Sequence, residues 1–155
     1  MPRITRTAAV VWEGSVARGD GSISAGSGAF ADLPYSLPTR VGEGQGRTSP
    51  EELLAAAHAG CFAMSLASEL TERSAPPERI DVECEILMDE VEGSGHQIIG
   101  SSLRVTASAA VDDDAFADAL QKADDGCPFS SLLKRAGVRL TFDTQLARSQ
   151  QPPAA

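Results

Sequence analysis

Apolar and charged residues alternate along Ile80-Asp81-Val82-Glu83-Cys84-Glu85-Ile86, and Leu87 and Met88 close the run. A period of two with one apolar face predicts a half-buried strand. Gly93-Ser94-Gly95 then turns the chain. Leu103, Val105, Ala107, Ala109 and Val111 line one face of a second strand, predicted antiparallel to the first. Val138, Leu140 and Phe142 share a face of a closing strand. The first 47 residues read as β-structure with turns. Thr7 to Trp12 is rich in β-formers, and Gly19-Asp20-Gly21 marks a turn. Gly26 to Leu37 carries the glycines and prolines of edge strands, and Gly42-Glu43-Gly44-Gln45-Gly46 is a loop.

The helical segments carry their own punctuation. Ser49 is an N-cap, Pro50 suits the first turn, and Glu52 completes a capping box. The helix should run to about Arg73, before Ala75-Pro76-Pro77. Its middle, Ala55-Ala56-Ala57-His58-Ala59-Gly60-Cys61, has almost no bulk or charge. Such a stretch is expected to be buried and to admit another backbone closely. Gly60 costs about 1 kcal/mol against Ala in a helix, so packing should compensate. Asp112-Asp113-Asp114 opens a second helix, acids at its positive end, running to about Ala123. A short helix follows from Pro128 to Ala136, capped by Gly137. Residues 149–155 are polar and Pro-rich and read as a disordered tail after a single domain, 1–148.

With 155 residues and 42% hydrophobic content, the chain can bury a real core in one domain. The net charge of −9 leaves no surplus of Lys and Arg to displace counterions from phosphates, which argues against nucleic acid and anionic membrane partners. No stretch reads as a transmembrane span. Met1-Pro2-Arg3-Ile4-Thr5-Arg6 has no apolar region after it of the kind a signal peptide needs, so a cytoplasmic, reducing compartment is expected.

Three cysteines suit thiols kept for chemistry better than a disulfide framework. Cys84 alternates with Val82 and Ile86 and reads as a small buried hydrophobe. Cys127 precedes Pro128 at a helix mouth, where amides and the dipole favour a thiolate. Asp124 and Asp125 oppose this, so a cap of little consequence stands level with a reactive thiol. Cys61 would be core packing if taken alone. His58, three residues earlier on the same helix face, and Arg40 and Arg47 in the preceding segment, give it chemical company. His58, Cys61, Cys127 and His96 could be joined as four metal ligands, but no second closely spaced pair supports that reading. There is no Cys-x-x-Cys of the thioredoxin kind, and nothing local supports a Cys protease.

These segments together resemble the OsmC/Ohr family of thiol-dependent peroxidases. The resemblance spans nearly the whole chain: Trp12-Glu13-Gly14, Thr39-Arg40, Ser49-Pro50-Glu51-Glu52-Leu53, Ala57-His58-Ala59-Gly60-Cys61-Phe62, Gly126-Cys127-Pro128 and the closing strand. The histidine before Cys61 is closer to the OsmC branch. The resemblance implies an α+β, two-layer OsmC-like fold, with antiparallel-rich sheets packed on a long central helix in an intertwined homodimer. It implies that Cys61 is the peroxidatic thiol, that Cys127 resolves its sulfenic acid to an intramolecular disulfide, and that Arg40, held by Glu51, activates the thiol. Arg47 competes for the arginine's place. No metal or bound cofactor is implied, and an external dithiol, typically on a lipoyl-bearing protein, restores the enzyme.

Glu51 and Cys61 lie ten residues apart, about 15 Å along an unbroken helix, so one arginine cannot touch both within a chain. Either the helix breaks or Glu51 serves the Cys61 of another chain; with the intertwined homodimer that the resemblance implies, Arg40 and Glu51 are expected to act across it on the other chain's Cys61. Phe62, Phe129 and Leu133 are expected to line an apolar mouth that favours organic hydroperoxides over hydrogen peroxide. The competing expectation is a non-catalytic dimeric module binding a small apolar ligand. That module would have no need of Cys61, Cys127, Arg40 and Glu51 together.

Overall fold

A computed structural model describes residues 3–147. The expected disordered tail, 149–155, lies outside the described residues. The fold is mixed α+β, with two three-stranded sheets and helices. Its contacts divide the chain into two compact units, before and after Leu53–Leu54.

The first unit holds β1 (Ala8–Glu13), β2 (Asp20–Ala25) and β3 (Leu33–Tyr35) in an antiparallel sheet of that order. The expected turn at Gly19-Asp20-Gly21 sits earlier. Asp20 already pairs with Glu13, and Gly14 takes φ +89° to start the reversal. Gly21 is needed for another reason: a Cβ there would lie 2.3 Å from the Tyr35 ring, which meets Trp12 at 5.4 Å between centroids. The short helix α1 (Leu37–Val41) was not expected from the β-rich pattern. Ser36 caps it through the Thr39 amide, and Pro38 sits in its first turn.

Helix α2 (Pro50–Glu72) matches its predicted limits, with Ser49 Oγ accepting from the Glu52 amide at 3.1 Å. Its buried positions are His58, Phe62, Leu66 and Leu70, an i, i+4 stripe. The Ala-rich middle is therefore not buried all round, contrary to expectation. Ala56 and Gly60 are exposed, Met64 is 71% exposed, and nothing lies within 4 Å of where a Gly60 side chain would begin. The reading of no membrane-length stretch also needs correction. Over 23 residues, with a window of mean hydropathy 1.4, α2 is long and apolar enough to cross a membrane by length and composition. Core helices of soluble proteins pass the same test, and the alanines here raise hydropathy without adding bulk.

The second sheet contains β4 (Arg79–Val91), β5 (Gly95–Ser108) and β6 (Arg139–Ala147). β4 and β5 form the expected antiparallel pair, with Cys84 opposite Leu103. Ala109 and Val111 fall beyond the strand that was to hold them. β6 runs parallel to β5. A parallel neighbour needs a crossover of a dozen residues or more, and two helices provide it. They are α3 (Asp113–Gly126), capped by Asp112 and three residues longer than expected, and α4 (Pro128–Arg135). The core joins Phe62, Leu66 and Leu70 of α2 to Leu103, Val105 and Ala107 of β5 and to Phe116, Ala119 and Ala123 of α3. Cys127 belongs to that core, with Cys61, Cys84 and Phe129 packed against it.

Candidate active site

Cys61 lies on α2, one residue before the wholly buried Phe62, and is itself half-buried. Cys127 occupies the junction between α3 and α4 and is fully buried. The two thiols are both free, and Cys61 packs against the core cluster that contains Cys127. Burial is the main cause that pushes the Cys61 pKa up, with Cys127 adding to it. The backbone amide of Phe129 works in the opposite direction and lowers it.

That amide revises the reading of the helix mouth. Cys127 is the N-cap of α4 but its side chain makes no capping bond. Pro128 has no N–H, so Phe129 carries the first amide after the cap, and it is the backbone group that lowers the Cys61 pKa. The acids thought to oppose a thiolate at Cys127 are engaged as well. Lys134 of α4 reaches Asp124 at 2.5 Å and Asp125 at 3.8 Å. Asp124 is buried, and its Oδ1 has no hydrogen-bond partner among the described residues.

His58 is wholly buried and both ring nitrogens are occupied. Nδ1 lies 2.8 Å from Ser101 Oγ on β5, and Nε2 lies 3.0 Å from Ser130 Oγ on α4. Both serines are fully buried. Cys84 Sγ joins this group, 3.4 Å from Ser101 Oγ and 3.9 Å from Nδ1, so it is more than an apolar filler. Sequence reasoning missed the serines because Ser101 and Ser130 lie 43 and 72 residues from His58. His96 is at the far end of the sheet pairing, opposite Glu90.

Burial pushes the His58 pKa below its ordinary value, and the charge of Asp124 opposes this in part. The folded ring thus stays neutral while the unfolded ring protonates as pH falls through about 6.5. Stability from His58 is present above that pH and is lost below it. The thermal midpoint should fall between pH 7 and pH 5, and less steeply in His58→Gln. Equal acid sensitivity in the two proteins would contradict this assignment.

In the first unit, Arg40 at the end of α1 pairs with Glu51 in the first turn of α2. Arg40 Nε donates to both carboxylate oxygens at 3.1 and 3.0 Å, and Nη2 donates to Oε1. The Arg40 hydrogen bonds are the main cause that lowers the Glu51 pKa. Arg47, the competitor, pairs instead with Asp20. Of the three residues expected at an apolar mouth, Phe62 is fully buried against Phe142, Leu133 is 5% exposed, and Phe129 is half-buried.

Two free cysteines, Cys127 in the core and Cys61 packed against it, form the candidate thiol site. The family profile described as OsmC-like protein matches residues 42–143, and the chain belongs to that family. It is 40% identical over 136 residues to peroxiredoxin OsmC of Escherichia coli K12, covering 87% of this chain and 92% of that one. Among solved structures it resembles the organic hydroperoxide resistance protein OhrB of Bacillus subtilis, with a TM-score of 0.68, 25% identity and coverage of 91% and 98% of the two chains. An organic hydroperoxide resistance protein OsmC from Legionella pneumophila shares the fold, with a TM-score of 0.70, 19% identity and coverage of 94% and 99%.

Proposed function

We propose that this chain is a peroxiredoxin-like organic hydroperoxide reductase. The observation that carries the reading is the packing of Cys61 against the buried core cluster that contains Cys127, two free thiols brought together from positions 66 residues apart. The Escherichia coli relative's name, peroxiredoxin, and the hydroperoxide resistance of the Bacillus protein's name support it. The Cys61 thiolate attacks the peroxide oxygen, the O–O bond breaks, and the alkoxide leaves to take a proton as alcohol. Cys61 becomes a sulfenic acid. The Cys127 sulfur then attacks it, releasing water and closing the disulfide. An external dithiol of the lipoyl type reduces that disulfide by exchange and is itself oxidised. No metal or bound cofactor enters the cycle, and the reducing cytoplasm keeps the thiols available.

The raised pKa of Cys61 is a difficulty that a cation must relieve. The paired Arg40 is that cation, oriented by Glu51 and acting on the partner subunit's Cys61 in a homodimer. The continuity of α2 through Glu51 and Cys61 supports action across chains, since one turn advances only about 5.4 Å. The exposed stripe Ala56, Gly60 and Met64 suits close approach of a second copy. Phe129, with Phe62 and Leu133 behind it, faces the alkyl group of the substrate.

Arg40→Met should therefore shift the pH profile of Cys61 oxidation upward, with the rate at pH 7 falling by roughly tenfold or more. An unmoved profile would remove Arg40 from the site. The reading itself is tested by steady-state turnover with dihydrolipoamide as reductant. Cumene hydroperoxide should be reduced far faster than hydrogen peroxide. Binding of apolar ligands without thiol-dependent turnover would favour the non-catalytic module.

A further inference from the structure

Disulfide closure needs Cys127 to meet Cys61 along the axis of the bond being broken, and the first turn of α4 controls that approach. Cys127 caps this helix and lies in the core cluster against which Cys61 and Phe129 both pack, and Ser130 follows directly. Ser130 Oγ is held at 3.0 Å by His58 Nε2, and His58 Nδ1 is anchored at 2.8 Å to Ser101 of β5. His58 also precedes Cys61 by three residues on α2, so it stands beside the thiol on one helix face. A single imidazole thus ties the strand, the helix bearing Cys61 and the helix start bearing Cys127.

This cluster is expensive to build. His58, Ser101 and Ser130 are all wholly buried, and an apolar side chain would fill the space without desolvating polar groups. What an apolar residue lacks is direction. Hydrogen bonds at both ring nitrogens fix the rotation of the imidazole and hence the place of Ser130.

We propose that His58 is a positioning residue for disulfide closure, holding the first turn of α4 through Ser130 so that Cys127 stays directed at Cys61. The role rests on the peroxidase reading. It concerns the second step, in which the Cys61 sulfenic acid and the Cys127 thiol form the S–S bond and release one water. The attack of Cys61 on peroxide comes before it and needs no movement of α4.

The amide nitrogen of Gln reaches the place of Nε2, whereas the shorter Asn reaches only the place of Nδ1. His58→Gln keeps the bond to Ser130, and His58→Asn keeps only the anchor to Ser101. Ser130→Ala removes the same bond from the other side with a smaller change. Each protein, fully reduced, is mixed rapidly with one equivalent of cumene hydroperoxide. Sulfenic acid is trapped with a dimedone reagent, and disulfide is followed by mass. In His58→Asn and Ser130→Ala closure should slow by about tenfold or more, with sulfenic acid accumulating, while its formation changes by less than about threefold. His58→Gln should restore closure. Closure at the wild-type rate in Ser130→Ala and His58→Asn would overturn the positioning role. Absence of both sulfenic acid and disulfide in the wild-type protein would instead overturn the peroxidase reading on which it rests.

Discussion

Cys61→Ser abolishes reduction of organic hydroperoxide, a loss of about a thousandfold or more. A serine hydroxyl is scarcely ionised at neutral pH and is a far weaker nucleophile towards the O–O bond than a thiolate. The replacement should leave the fold intact. Cys61 is only half-buried, and a hydroxyl can still accept the Phe129 amide that the sulfur receives. Loss of turnover with an unchanged thermal midpoint would be chemical in origin. Steady-state assay with dihydrolipoamide measures the first quantity, and thermal unfolding measures the second. Substantial turnover in Cys61→Ser would contradict its assignment as the peroxidatic thiol.

Cys127→Ser separates the two halves of the cycle. Cys61 keeps its nucleophile and its amide donor, so the first oxidation should proceed within about threefold of the wild-type rate. No disulfide can close, so one thiol is lost per chain and sulfenic acid persists. With excess peroxide it should advance to sulfinic acid, which the dithiol does not reverse. Steady-state turnover should fall by about a hundredfold, limited by direct reduction of the sulfenic acid. Single-turnover mass analysis reads all of these species. A disulfide in Cys127→Ser, or unchanged turnover, would contradict the resolving role. The buried position of Cys127 makes a serine there costly for stability, so folding is checked alongside.

The elements most legible in the sequence are those whose signals are local. The alternation from Ile80 to Met88 survives as alternating burial along β4, because a sheet with one covered face imposes period two. Ser49 and Pro50 mark the start of α2 to the residue. What escaped depends on partners distant in sequence. The parallel pairing of β5 and β6 follows from the crossover through α3 and α4, which no alternation reveals. Helix α1 had a local signal in Ser36 and Pro38, outweighed by the β-rich composition around it. The Ala-rich face of α2 looked buried because alanine suits close packing, yet within the chain only the His58–Phe62–Leu66–Leu70 stripe is covered.

The site was legible in its residues more than in its wiring. Cys61 and Cys127 stand out by residue type and flanking sequence, but their 66-residue separation gives no distance. The choice between Arg40 and Arg47 was open from sequence, and Glu51 and Asp20 divide them. From sequence the helix-mouth amides concern only Cys127, whereas the Phe129 backbone lowers the Cys61 pKa. Proline at the first helical position has no N–H, so Phe129 carries the first amide of that turn. Lys134 reaches back from α4 to Asp124 and Asp125, a pairing set by the angle between two helices rather than by spacing within either.

The most direct test of a Cys61–Cys127 peroxidase is a stopped-flow count of thiols lost per chain with cumene hydroperoxide against hydrogen peroxide. The account predicts rapid loss of two thiols, faster with the organic peroxide, and a single Cys61–Cys127 disulfide by mass mapping, with Cys84 still free. Slow loss without preference between the peroxides, or a disulfide through Cys84, would contradict it.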